Sequence, residues 1–173
     1  DTTVNLTQLL QQGSIDAVCI IDDPLPPSRW HIWQQTEVPV VLAANPAHPL
    51  ARRGTIAPQE LHGSELIMME QDAPYARRFE SLLAQHRVEC RPFLRLPSAS
   101  AARDLLLRGA FLSLLPWYTV RACVESGLLC LLSIPEWDLK QSVQMVVHRS
   151  KVLTPQLEGF LSALRDALAG ILS

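Results

Sequence analysis

Short apolar runs of strand length alternate with amphipathic helical stretches along nearly the whole chain, and glycine or proline marks most of the boundaries. A chain patterned this way folds as helices layered on sheets, an α/β arrangement. Leu6, Leu9 and Leu10 sit three and four apart ahead of Gly13, which predicts a short helix with a glycine stop. The run from Ile15 to Ile21 is apolar on both faces, which predicts a strand buried on both sides in a parallel sheet, with Cys19 as a small buried hydrophobe. Asp22-Asp23-Pro24 ends that strand, and Pro24, Pro26 and Pro27 make an irregular loop. Further strands are predicted over 38–44, 65–69, 93–96, 111–115, 128–134 and 143–147. Helices are predicted over 74–87, 101–108, 119–125 and 156–168, with Gly109 and Gly127 as stops. A short turn over 55–61 carries Pro58 early.

Composition narrows the function classes. Of 173 residues, 48% are apolar and 18% charged, so the chain can bury a real core, and wholesale disorder is excluded. No apolar run is long enough to span a bilayer. The formal net charge is −2, without the basic excess of a stand-alone nucleic-acid binder, so any DNA contact belongs to another part of the protein. Cys19, Cys90, Cys123 and Cys130 show no C-x-x-C spacing and are too scattered for a disulfide scaffold. A reducing cytoplasm is the expected compartment.

The chemistry-bearing motifs of enzymes are absent. The sequence has neither of the two glycine-rich phosphate loops and no G-x-S-x-G elbow, and its five histidines never pair at i,i+4. No metal and no cofactor are expected. Open α/β sheets bind ligands at the carboxyl ends of their strands. Asp22 and Asp23 lie at such an end and either hold a cationic group or cap the strand and start the proline turn. Glu70-Gln71-Asp72 is either ligand-facing or a polar loop. Pro97-Ser98-Ala99-Ser100 places two hydroxyls at a helix start, a setting that suits a carboxylate or other small anion. A plain N-cap needs only one of the two serines. Trp30 and Trp33 form an aromatic patch or pack beneath a loop, and Trp117 lines a cleft or simply packs.

The ordered set of motifs resembles the regulatory, effector-binding domain of LysR-type transcriptional regulators. The resemblance is carried by Leu9-Leu10-Gln11-Gln12-Gly13-Ser14-Ile15-Asp16-Ala17-Val18, by Val38-Pro39-Val40-Val41-Leu42, and by His48-Pro49-Leu50-Ala51-Arg52-Arg53-Gly54. It continues through Leu61 and Leu66-Ile67, Arg103 to Gly109, Leu114-Leu115-Pro116, Gly127-Leu128 and the strand Gln144 to His148, and so covers almost all of the chain. It implies two α/β lobes like those of type 2 periplasmic solute-binding proteins, joined by two crossing strands, here 38–44 and 143–147. Residues 1–43 and 149–173 would form the first lobe and residues 44–148 the second.

The resemblance further implies a small-molecule effector, an organic acid or amino-acid-like metabolite, held in a cleft between lobes. Carried onto this sequence, the cleft residues are Asp22, Glu70, Gln71, Ser98, Ala99, Ser100 and Pro116. The domain would form homodimers within a tetramer, the stripe of Leu6, Leu9 and Leu10 being a candidate contact, and would reach DNA only through an N-terminal helix-turn-helix. The family's domain opens with a strand, a helix and a second strand ahead of the segment that Asp1 begins. This chain is therefore expected to be a fragment whose first lobe is incomplete and exposes a sheet edge. The family also has Gly-x-Gly-Ile before its Leu-Pro, where this chain has Gly109-Ala110-Phe111-Leu112, so Phe111 adds bulk. The function expected is effector sensing for a transcriptional regulator. The alternative is a solute-binding protein of the same fold serving a transporter, and a small α/β enzyme lacks a credible nucleophile–base pair.

Overall fold

The computed structural model describes residues 3–70, 73–90 and 92–172. In chain order the elements are α1 (Thr3–Gln11), β1 (Ala17–Asp22), β2 (Trp30–Ala44), a 3-10 turn (Pro58–Leu61), β3 (Leu66–Met69), α2 (Pro74–Gln85), β4 (Pro92–Leu96), α3 (Ala99–Leu106), β5 (Leu112–Pro116), α4 (Trp117–Glu125), β6 (Cys130–Leu132), β7 (Lys140–His148) and α5 (Pro155–Leu172). The chain forms two compact units, residues 1–38 with 141–173, and residues 39–140. Both crossings fall inside strands, in β2 and at the start of β7.

In the first unit the strand order is β1-β7-β2. β7 is buried at every position from Gln141 to Val147, because helices cover both of its faces. On one side Leu10 of α1 packs with Val18, Ile20, Trp30 and Val146. On the other, Leu161 of α5 packs with Met145 and Val147, and Trp33 joins that cluster with the Arg165 guanidinium 5.7 Å from its ring centre. Trp30 and Trp33 therefore serve opposite faces of one strand and do not form a patch. The stripe of α1 is spent mostly on packing: Leu10 is buried and Leu6 half-buried, while Val4 and Leu9 face outward.

β1 departs from the expected parallel strand buried on both sides. It pairs antiparallel with β7, from Ala17↔Val147 to Asp22↔Ser142, and forms the end of the strand order. Its burial alternates: Val18 and Ile20 face inward, whereas Ile21 is 47% exposed and Cys19 is also exposed. A continuous apolar run suggests two buried faces, but an edge strand with one helix beneath it needs only one.

The second unit has the order β2-β5-β3-β4, with β6 on the other side of β2. β5 and β4 both run parallel to β3, while β2 is antiparallel to β5 and to β6. Leu42, Ala43, Ala44, Leu66, Ile67, Leu112 and Leu115 form the sheet side of its core, met by Phe79 of α2, Leu106 of α3 and Val120 of α4. Ala43 and Ala44 have no solvent exposure. Ser113, equally buried, donates to the Ile67 carbonyl at 2.7 Å and so carries no unpaired hydroxyl into the core.

Chain punctuation explains most of the helix ends. Gly13 and Gly127 take φ of 71° and 73° after α1 and α4, conformations that a side chain would strain. Pro74 and Pro155 sit at the starts of α2 and α5, where a missing N–H costs nothing. Gly109 is not the left-handed stop that the sequence suggested. It provides room instead: a Cβ there would lie 2.4 Å from the Phe111 ring, which stacks on Phe93 with centroids 5.0 Å apart. The glycine and the bulky residue two positions on are thus one packing unit.

His48 is buried, its Nδ1 accepts from the Leu50 N–H at 3.1 Å, and burial pulls its pKa below the ordinary value of 6.5. Its contribution to stability is full above that value and is lost as pH falls through the depressed folded value. Denaturant titrations between pH 7.5 and 5.5 are expected to show stability falling, with the fall reduced in His48→Asn, which keeps an acceptor for Leu50 and cannot titrate. Gly109→Ala is expected to destabilise by about 1–3 kcal/mol through overpacking, and Phe111→Leu in the same chain should restore most of the loss in urea melts.

Candidate functional site

The parallel arrangement of β4, β3 and β5 brings three strand ends to one edge of the second unit. Met69 pairs with Leu96, and the Glu70 N–H donates to the Leu96 carbonyl at 3.1 Å, so Glu70 lies beside the start of Pro97-Ser98. On the other flank Leu66 and Ile67 pair with Leu112 and Ser113, a register that carries Pro116 to the same edge as Glu70. Of the residues singled out from sequence, the structure therefore assembles Glu70, Ser98, Ala99, Ser100 and Pro116. Gln71 lies outside the described residues. Asp22 belongs to the first unit, at the end of β1.

Each of these strands runs almost directly into a helix: β3 into α2 at Pro74, β4 into α3 at Ala99, and β5 into α4 at Trp117. Three helix N-termini thus start from one sheet edge. N-terminal turns carry unpaired N–H groups and the positive end of the helix dipole. None of the three helices has an acidic residue in its first turn, so none neutralises that end itself. Ala73 and Pro116, at the N-caps of α2 and α4, supply no side-chain cap.

The two serines divide the labour as their spacing allows. Ser98 is the N-cap of α3, in extended backbone, and its Oγ accepts from the Ala101 N–H at 3.4 Å. Ser100 is exposed within the first turn. Ala99 between them is half-buried against the core and anchors the turn. Glu70 is exposed at the mouth of the edge, whereas Pro116 is buried and shapes it. Trp117 is half-buried against the core, so packing accounts for it.

Beside Pro116, β2 borders a cavity of about 310 Å³, lined largely by Val40, Leu42, Leu114, Leu132, Ile134 and Trp137. Val40 pairs with Pro116 and donates its N–H to the Leu139 carbonyl at 2.9 Å, while Ser133, just past β6, bonds instead with Gly54 and Ile56. The volume is at the small end of ordinary ligand pockets, and the lining mixes apolar side chains with Ser133 and Asp138. Sequence reasoning missed this cavity, because β6 was read as a strand over 128–134 and is only Cys130–Leu132. Trp137 was also not singled out. It packs edge-on against Phe79 with centroids 5.5 Å apart.

No group of three or more His, Cys, Asp or Glu side chains is placed to hold a metal among the described residues. Burial raises the thiol pKa of Cys90 and Cys130, which keeps them protonated near neutrality. No helix among the described residues is long and apolar enough to cross a membrane.

Residues 1–169 match the family described as the LysR substrate binding domain. The chain belongs to that family. A RuBisCO operon transcriptional regulator from Acidithiobacillus ferrooxidans is 26% identical over 131 residues, covering 76% of this chain and 42% of the relative. The chain spans about half the length of the curated relatives it matches. Among solved structures, the Synechocystis CcmR regulatory domain in complex with 2-PG superposes with a TM-score of 0.75 at 22% identity, over 96% of this chain and 79% of that one. The effector-binding domain of QuiR in complex with shikimate superposes at 0.72 with 15% identity, over 94% and 76%. The fold is that of LysR regulatory domains.

The division of roles between the serines has a direct consequence. Ser98→Ala is expected to cost about 0.5–1 kcal/mol through the lost cap, and Ser100→Ala less than half of that. Thermal unfolding of the two variants side by side measures the difference.

Proposed function

We propose that this LysR substrate-binding domain senses a small anionic metabolite and passes its occupancy to the DNA-binding part of a longer transcriptional regulator. The observation that carries the reading is the edge of the second unit, where three helix N-termini without acidic first turns meet beside the exposed Ser100. Backbone N–H groups and hydroxyls at such an edge bind carboxylate or phosphate oxygens without a metal. Ser100 donates to the bound group, Ser98 holds the turn that presents it, Glu70 guards the mouth and Pro116 fixes the wall. Asp22, and Gln71 by its place in the sequence after β3, are further effector-binding residues. The lobe assignment proposed from the family, residues 1–43 with 149–173 and residues 44–148, is retained in outline, with the divisions drawn inside the crossing strands.

Signalling follows from differential affinity. An effector that binds one arrangement of the domain better than another shifts the population toward it. A coupling of about 1–3 kcal/mol is enough to change DNA occupancy several-fold. The domain acts in the cytoplasm, associates as a homodimer or tetramer, and contacts DNA only through a helix-turn-helix elsewhere in the protein. It performs no catalysis. The solute-binding alternative is disfavoured, since the curated relatives are transcriptional regulators.

Ser100→Ala should weaken binding of 2-PG or shikimate, used as probes, by roughly tenfold, the cost of about one charge-assisted hydrogen bond. Calorimetry against wild type measures this, with the melting temperature as control. An unchanged affinity, or a large fall in melting temperature, makes Ser100 a structural residue and removes the anion edge from the mechanism.

A further inference from the structure

The cavity beside β2 lies wholly within the second unit, on one face of its sheet. Its floor follows from the strand register. Leu42 stands directly opposite Leu114 of β5 on one side and Leu132 of β6 on the other. Directly opposed residues share a face, and Val40, two positions before Leu42, points the same way. The roof comes from the segment between β6 and β7. There the Trp137 backbone N–H donates to the Ile134 carbonyl at 2.9 Å, a turn that sets both side chains against the cavity. The turn is pinned at each end, by Ser133 on Gly54 and Ile56 and by Leu139 on Val40. Between the pins Pro135 and Glu136 are exposed, so the segment is a strap across the sheet.

Three observations bear on what this space takes. None of Glu70, Ser98, Ala99, Ser100 and Pro116 borders it, so it is separate from the edge where the helices start. Of the described residues that do border it, only Asp138 is charged. The Asp138 side chain is 81% exposed and meets the Lys140 ammonium at 3.1 Å, so it stands at the mouth, and its carboxylate disfavours an anionic occupant. The third observation is the Trp137 indole Nε1, which is buried without a hydrogen-bond partner among the described residues. The aromatic neighbours of that ring are Phe79 and His86, with centroids 5.5 and 5.9 Å away, so packing holds it in place. An unpaired buried donor is costly, and the ring that bears it borders the cavity.

We propose that this cavity is a second binding site, for a small uncharged molecule with an apolar ring and one hydrogen-bond acceptor. The ring packs between the floor of Val40, Leu42, Leu114 and Leu132 and the roof of Ile134 and Trp137. The acceptor takes the Trp137 N–H after a slight turn of the indole. Water gains few partners in such a space, so an apolar occupant displaces it at little cost. At about 310 Å³ the cavity suits a single ring with a short substituent. The site does not depend on the anion-sensing reading, since it uses other residues and another class of ligand.

Three probes of similar size test this by calorimetry on the whole chain: acetophenone, ethylbenzene and benzoate. Acetophenone has the acceptor without charge, ethylbenzene lacks the acceptor, and benzoate is an anion. Wild type is expected to bind acetophenone roughly tenfold more tightly than ethylbenzene, the worth of about one hydrogen bond. Excess benzoate should leave acetophenone bound. Trp137→Phe keeps an apolar ring in the roof and removes the N–H, so it should erase the tenfold preference while ethylbenzene binding stays level. Leu114→Phe narrows the floor and should weaken both uncharged probes. Failure of acetophenone and ethylbenzene to bind wild type overturns the site. Equal binding of the two overturns it as well, because the indole N–H then has no part in recognition. Displacement of acetophenone by benzoate also overturns it, since the probe would then sit where anions do. These three outcomes are read on wild type and hold whether or not the variants fold.

Discussion

The ladder of hydrogen bonds that β2 makes with its neighbours is the constraint from which the other elements take their places. β2 is fifteen residues long, and the chain passes from one compact unit to the other within it. Its first half belongs to the strand order of the first unit, next to β7, and its second half pairs with β5 on one side and β6 on the other. The residues at Ala43 and Ala44 are small and wholly buried, which brings helices close against the sheet where three strands meet. Once β5 is fixed antiparallel to β2, the parallel pairing of β3 to β5 and of β4 to β3 sends all three of their carboxyl ends to one edge. The helix starts follow the strand ends within a few residues, so the gathering of helix N-termini at that edge is a consequence of topology rather than of any single residue.

That dependence explains which parts were legible in the sequence. The apolar run before Leu114-Leu115-Pro116, the proline ahead of α2 and the double serine ahead of α3 are local signals, and each marks a strand end or helix start close to its place in the structure. The placement of Glu70, Ser98, Ala99, Ser100 and Pro116 at one sheet edge was legible for the same reason. The rule that ligands meet α/β sheets at strand ends needs only the boundaries. The start of β2 was not legible. From Trp30 to Glu37 its side chains are a mixture of aromatic, polar and charged, because the strand is half-buried there and its burial is uneven along this stretch. The early end of β6 was hidden by the mostly apolar stretch Leu128 to Ile134, interrupted only by Ser133, which a strand and a cavity lining satisfy equally well.

β1 shows the same limit from the opposite direction. Its run of apolar residues carries no information on how many neighbours the strand has, since burial on each face is set by other elements. Cys19 and Ile21 are exposed for that reason, although nothing in their local sequence marks them. Ser142 was equally silent. A serine amid Val143, Met145, Val146 and Val147 reads as a minor interruption of a strand, and neither its burial nor its register opposite Asp22 is marked in the local sequence.

The two units also differ in the charge they place at their strand ends, which a net charge near zero conceals. At the end of β1, Asp22 and Asp23 follow one another, the first half-buried and the second exposed. At the ends of β3, β4 and β5, the first turns of the three helices contain no acid, and the single carboxylate described there, that of Glu70, stays in solvent. Acidic residues are ordinarily favoured in first helical turns, because they stabilise the dipole. All three helices forgo this stabilisation at the same edge, and only α3 has a side-chain cap in its place, from Ser98.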